Sequence, residues 1–189
     1  MPQKHPCVGE PDGSLADWLV RDLFDWDRAP ELTVAMLVPP RFDAVARVSH
    51  LDPEEEGEPG IRIMRALVDV LRPATTAPDD VRFLIWYGWG GTPWHDWTDA
   101  AQVEAPLRPC RLLRGPIEGV LVSLDPWLET LRPLWWWPAD EAWLVCTEID
   151  FAWTFVAASD ALVTAVCERA DIDSAAPRST RSQTGSVLV

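Results

Sequence analysis

Lysine and asparagine are almost missing from this chain. Lys4 is its single lysine, and no asparagine occurs among its 189 residues. A physical pressure on one kind of side chain would not remove both residues, so we attribute the bias to the base composition of the genome. The 16 lysine and arginine residues are outnumbered by 30 acidic ones, and the formal net charge is −14.

The lack of a basic excess bears on the partners of the protein. Nucleic-acid binding needs a basic face that releases counterions from phosphates, so we expect no nucleic-acid partner. An anionic membrane surface is disfavoured for the same reason. A basic protein or a cationic ligand would fit this charge, although acidity also serves plain solubility.

Long apolar runs and paired cysteines are lacking too. No apolar stretch approaches the roughly 20 residues of a membrane helix, and residues 1–13 contain no hydrophobic run of the kind a secretory signal needs. The four cysteines are scattered, without a CxxC or a cysteine–histidine pair at metal spacing. The sequence therefore predicts a cytoplasmic protein with neither a metal nor a cofactor.

Catalytic motifs are equally scarce. The three histidines lack HExxH spacing, and no G-x-S-x-G occurs. The glycine-rich "GWGG" at 88–91 lacks the lysine and the hydroxyl residue that follow a phosphate-binding loop. We therefore predict no catalytic residue.

Hydrophobic periodicity indicates the fold class. Alternating or short apolar runs predict strands at 32–38, 42–48, 81–87, 109–115, 142–149 and 153–157. Helical spacing predicts helices at 14–24, 61–72 and 160–170, and 116–124 is a short helix or a strand. Because the strands arrive in pairs, we expect an α+β fold with a single mixed or antiparallel sheet of about six strands and helices packed on it.

Composition divides the chain into three parts. Residues 1–13 are expected to form a flexible N-terminal lead, and residues 14–170 a single α+β domain with an acidic loop at 52–60. Residues 171–189 are rich in serine, threonine and arginine, with little to bury, and are predicted to form a disordered tail.

The twelve tryptophans are the most distinctive feature of the sequence. Four lie on predicted strands or helices and are most simply core residues. Six lie in predicted loops flanked by glycine or proline, at Trp89, Trp94, Trp97, Trp135, Trp136 and Trp137. Loop tryptophans fold back onto a core or line a recognition surface, where tryptophan is enriched. Both interpretations stay open.

Two carboxylates follow the strand predicted at 142–149. Glu148 and Asp150 are two residues apart, so in an extended strand they would share one face. Such a pair could bind a cation or divide acid and base roles. Alternatively, Asp150 begins a hairpin turn and Glu148 pairs with an arginine such as Arg41, Arg47 or Arg114.

Three strings carry a resemblance. They are "LLRGP" (112–116), "WWPADEAWLVCTEIDFAWTFVAAS" (136–159) and, more weakly, "LVPPRFDAVARV" (37–48). Across most of residues 14–170 the chain resembles a family of bacterial proteins from GC-rich genomes, and this resemblance implies no activity and no catalytic residues. Pro40 and a shorter 50–60 region depart from the family pattern. The predicted architecture is also similar, at the level of the fold alone, to toxin-immunity proteins.

Two functions follow from these patterns. The first is a non-enzymatic protein-binding module, immunity-like or regulatory, with an acidic, tryptophan-rich surface. Its partner would be another protein, a basic one where charge complementarity governs the contact. Its anchors would be Trp89, Trp94, Trp97, Trp135 and Trp136, with Glu148 and Asp150 as complementary charges. The alternative is a small-molecule or carbohydrate-binding protein or enzyme. Its tryptophans would wall a pocket whose polar groups are Glu148, Asp150 and Arg41.

Overall fold

The computed structural model describes residues 5–23, 34–49, 60–88, 97–106, 108–123, 132–149 and 151–175. Within these ranges one antiparallel sheet of nine strands carries three α-helices. The predicted α+β class is confirmed. The predicted number of about six strands is corrected to nine, because four short strands add to the sheet and one predicted strand is a helical turn.

The sheet places its strands in a different order from the sequence. The strands are β1 (Val8–Gly9), β2 (Ala44–Ser49), β3 (Val81–Trp86), β4 (Gln102–Glu104), β5 (Pro109–Gly115), β6 (Trp135–Pro138), β7 (Leu144–Thr147), β8 (Trp153–Ala158) and β9 (Ser174–Ala175). Their spatial order is β1-β5-β3-β6-β7-β8-β2-β9, with β4 also paired to β5. β7 therefore lies in the interior of the sheet, between β6 and β8.

The helices form where an apolar stripe has helical spacing. They are α1 (Asp17–Asp22), α2 (Ile61–Leu71) and α3 (Asp160–Cys167), and 3-10 helices occur at Gly13–Ala16, Val34–Met36, Arg72–Ala74 and Ile117–Leu121. Met64, Leu67, Val68 and Leu71 of α2 are buried on one face. Ser159 caps α3, because its hydroxyl accepts a hydrogen bond from the Leu162 amide at 3.4 Å.

Both faces of the sheet are covered, so the core has two layers. On the first face α2 and α3 pack with Phe83, Trp136 and Val145. On the second face α1 and residues 34–42 pack with apolar side chains that alternate with the first set, Leu84, Trp135, Cys146 and Phe155. This alternation is the period of a strand buried on both sides, and it explains why the strands contain few polar residues.

The strand predicted at 32–38 is wrong within its described part. Val34–Met36 is a 3-10 helix, and the amides of Leu37 and Val38 donate to the Val34 carbonyl at 3.0 and 2.9 Å. These local hydrogen bonds replace the ladder of a strand, while Met36, Leu37 and Val38 are still buried. An apolar run can thus be buried without an extended backbone, and periodicity over so few residues does not distinguish the two.

Both ends of the described chain belong to the sheet. Val8–Gly9, expected in a flexible lead, pairs with β5, and the Glu10 amide donates to the Leu112 carbonyl at 3.0 Å. Ser174–Ala175, expected in a disordered tail, pairs with β2. Sheet pairing over two residues leaves no periodic signal in a sequence. No helix in the described ranges has the length and apolarity needed to cross a bilayer.

Candidate functional site

Trp135 and Trp136 lie in strand β6 and are completely buried. Trp135 points into the second core layer and donates its indole N–H to the Leu37 carbonyl at 2.8 Å. Trp136 points into the first layer, edge-on to Trp143 with 5.1 Å between ring centroids. The loop predicted here is a strand, and because both rings are buried, neither residue is an exposed anchor or the wall of an open pocket in this structure.

Trp97 is also part of the core. It is 4% exposed, and its indole donates to the Cys7 carbonyl at 3.2 Å. Each of these three tryptophans is buried with its N–H satisfied or its ring edge packed, as large aromatic residues require. In these positions the simple interpretation, structural packing, replaces that of a recognition surface.

Glu148 lies directly after β7 and is buried, with an exposure of 3%. Its Oε1 accepts a hydrogen bond from Nε of Arg108 at 2.6 Å. Arg108 directly precedes β5, and β3 and β6 lie between β5 and β7 in the sheet. The ion pair therefore ties together the ends of two strands that are not neighbours. Glu148 does form an ion pair, but with none of the three arginines named from the sequence.

Arginine–aromatic contacts surround this ion pair. The Arg108 guanidinium lies 4.6 Å from the ring centroid of Trp86, at the end of β3. On β2 and β8, Arg47 stacks on Trp153 at 4.0 Å. Stacked guanidinium groups are held rigidly and keep their N–H edges available for hydrogen bonds. Strands β3 and β7 end, and β8 begins, at the same end of the sheet. We call it the Glu148 end.

Two buried thiols, Cys110 and Cys146, lie in the second core layer near the Glu148 end. Burial raises the pKa of the Cys146 thiol well above its usual value, and the Glu148 carboxylate raises it further. Burial also raises the pKa of Cys110. Thr147 and Thr154 face each other with 2.8 Å between their hydroxyl oxygens. Both thiols are protonated at neutral pH and act as small apolar side chains.

Arg41 lies at the opposite end of the sheet. It forms an ion pair with Glu141, 2.7 Å between Nη1 and Oε2, and its guanidinium lies 4.6 Å from the Trp18 ring centroid. Glu141 precedes β7 and Glu148 follows it, so the strand alone separates the two carboxylates by about 13 Å. The structure therefore does not bring Arg41 and Glu148 into one site, which corrects the predicted polar set of a ligand pocket.

Three predicted site residues, Trp89, Trp94 and Asp150, lie outside the described residues, and their roles stay predictions. Residues beside them are described. Tyr87, which precedes Trp89 and Trp94 in the chain, is 36% exposed, and its ring centroid lies 5.7 Å from the Arg111 guanidinium carbon. Phe151, after Asp150, donates its amide to the Glu148 carbonyl at 3.2 Å. This hydrogen bond shows that Glu148 starts a turn.

Sequence reasoning missed Arg108, Trp86 and Tyr87 as members of this group. Trp86 and Tyr87 close a predicted strand directly before a glycine, and a strand end beside a loop is a common position for functional residues. No described group of three histidine, cysteine, aspartate or glutamate residues is arranged to hold a metal ion. Searches of protein-family models, curated proteins and solved structures found no match to this chain.

Proposed function

We propose that the chain is a non-enzymatic protein-binding module that engages its partner through the Glu148 end of the sheet. One observation carries the proposal. Buried Glu148 holds Arg108 over the half-buried Trp86, and exposed Tyr87 lies next to it in the chain. Tryptophan, tyrosine and arginine dominate the hot spots of protein interfaces. An arginine already fixed in place loses little further side-chain entropy on binding.

The net charge of −14 supports a basic partner. Net charge acts over the distance of an encounter and steers a partner of opposite sign toward the protein, more weakly as salt increases. Individual side chains act at contact, where the exposed Tyr87 offers a ring and a hydroxyl, next to the rigid stack of Arg108 on Trp86. Acidic charge and an arginine–aromatic contact surface are therefore compatible.

The described residues favour binding over catalysis. The thiols of Cys7, Cys110 and Cys146 are buried with raised pKa values, so they are poor nucleophiles. The Glu148 carboxylate is engaged by Arg108. The pocket alternative loses Trp135 and Trp136 as walls, since both are in the core.

The test compares the two ends of the sheet. Basic proteins of the native host would be captured on the immobilised chain, and a captured protein would be produced separately and titrated by calorimetry. Tyr87→Ala should weaken its binding by at least about tenfold, the effect of a modest hot-spot residue. Arg41→Ala, at the opposite end, is the matched control and should leave affinity unchanged.

Two results would contradict the proposal. One is an affinity that falls for Arg41→Ala and is unchanged for Tyr87→Ala, which would place the interface at the wrong end. The other is a partner whose binding does not weaken with added salt, because a charge-steered acidic–basic complex must be salt-sensitive.

A further inference from the structure

Residues 5–10 form a strap along the outer edge of the sheet. Val8 and Gly9 pair with β5, and the Ala101 amide donates to the Glu10 carbonyl at 2.8 Å. Cys7 is 2% exposed in the first core layer. A Cβ placed on Gly119 would come within 2.5 Å of the Cys7 sulfur, so glycine is what leaves room for this thiol. The strap is thus fitted into the core at Cys7.

His5 fastens the start of the strap through both ring nitrogens. The Cys7 amide donates to Nδ1 at 3.1 Å, which makes Nδ1 an acceptor and places the proton of the neutral ring on Nε2. Nε2 lies 3.2 Å from the Val122 carbonyl and can donate to it. The ring also packs edge-on against Trp97, with 5.4 Å between centroids. This set of contacts suits the neutral imidazole alone.

A protonated His5 would lose one of these contacts and gain a repulsion. A proton on Nδ1 would face the Cys7 N–H, turning an accepted hydrogen bond into two opposed donors. Among the described residues, Arg132 is the charged group that acts on His5, and it opposes a second positive charge. The 117–122 segment contributes a carbonyl and Trp97 an uncharged ring. The neighbouring Cys7 thiol is protonated, since burial raises its pKa to about 12.

We propose that His5 is a pH-sensitive catch, which holds the strap against the sheet while its ring is neutral and releases Cys7 when the ring is protonated. Release breaks the Cys7–His5 hydrogen bond and withdraws the thiol from beside Gly119. The Trp97 indole then loses its acceptor, the Cys7 carbonyl. Protonation of His5 thus opens the strap at residues 5–10.

The direction of the effect follows from the His5 pKa. Burial lowers this pKa below 6.5 and is the largest effect; the hydrogen bond to the Val122 carbonyl partly offsets it, and the Arg132 charge adds a smaller lowering. The released strap therefore binds a proton more readily than the closed one. The catch is fully effective above pH 6.5 and weakens as the pH falls below that value. Each unit of lowered pKa corresponds to about a tenfold rise in the open fraction at acid pH.

Thiol labelling of the full chain tests the catch. The probe is 4,4′-dithiodipyridine, which reacts with thiols in acid, and labelled sites are resolved by peptide mass spectrometry. Cys7 labelling, corrected with a model thiol, should rise between about pH 7.5 and about pH 5, by up to about tenfold for each unit by which closing the strap lowers the His5 pKa. Cys167, which is half-buried on α3, is the internal control and should show no such step.

Two variants distinguish release through His5 from a general opening of the fold at low pH. His5→Gln keeps a donor and an acceptor but cannot titrate, so its Cys7 labelling should not change with pH. Gly119→Ala displaces the thiol mechanically and should raise Cys7 labelling already at neutral pH. A step that persists in His5→Gln, or a wild type without a step, would overturn the proposal. So would an NMR titration in which His5 takes up its proton at or above pH 6.5, which needs no variant to fold.

Discussion

The two ends of the sheet carry the same chemical group in two environments. At one end Arg41 pairs with Glu141 at 2.7 Å and stacks on Trp18, and at the other Arg108 pairs with Glu148 at 2.6 Å and stacks on Trp86. Both guanidinium groups lie 4.6 Å from their tryptophan centroids. The carboxylates differ, because the Glu141 side chain is 32% exposed and that of Glu148 is 3% exposed.

The two ion pairs have nearly equal distances but contribute unequally to the free energy of unfolding. An exposed ion pair is screened by water and contributes about 0–1 kcal/mol to stability. In the Arg108–Glu148 pair the carboxylate is buried and the guanidinium is mostly covered, so removing the carboxylate leaves a poorly hydrated charge and costs about 3 kcal/mol, the low end for buried pairs. The distances alone would predict the same loss of stability when either ion pair is broken. Because Glu148 is buried and Glu141 is not, we expect the larger loss at the Glu148 end.

The largest expected effect comes from the same substitution at both ends. Glu148→Gln should lower the free energy of unfolding by about 3 kcal/mol, the low end for a buried ion pair, since the Arg108 side chain is 19% exposed and keeps some contact with water. Glu141→Gln should lower it by about 0–1 kcal/mol. Urea denaturation of both variants measures the difference. Two losses within about 1 kcal/mol of each other would mean that burial does not distinguish the ends.

A smaller effect is expected when the whole buried pair is replaced. Arg108→Met combined with Glu148→Leu removes both charges and keeps apolar volume, so the variant should unfold within about 1–2 kcal/mol of the wild type. It should be more stable than Glu148→Gln alone. If the double variant is the less stable of the two, the ion pair stabilises the fold beyond neutralising its own buried charges. This variant should bind the captured partner less tightly although it is folded.

Strands and helices with a strong period are predictable from the sequence. The helix Ile61–Leu71 and the strands Val81–Trp86 and Pro109–Gly115 follow directly from apolar spacing. The strand Trp135–Pro138 is not predictable. Its four residues are all buried, on alternate faces of the sheet, so the sequence shows no apolar–polar alternation, and a proline ends the run. Its extended form depends on pairing with β3 and β7, and tertiary pairing overrides weak local signals.

In the candidate site, the ion pairing of Glu148 is predictable from the sequence, whereas its partner Arg108 is not. An ion pair for Glu148 is expected of a carboxylate that ends an apolar strand. Arg108, however, lies 40 residues away in the chain, and the two meet only because β3 and β6 are inserted between β5 and β7. A single sequence contains the residues of such a group but not the strand order that selects among its arginines.

The smallest expected effect concerns the backbone at the Arg41 end. Glu141 has φ = 53°, the left-handed conformation that asparagine tolerates better than glutamate. Glu141→Asn should relieve this strain, whereas Glu141→Gln keeps it, and both lose the charge that pairs with Arg41. The asparagine variant should therefore be more stable than the glutamine variant by about 0.5–1 kcal/mol in urea denaturation. Equal stabilities of the two variants would show that the turn stores no strain that asparagine relieves.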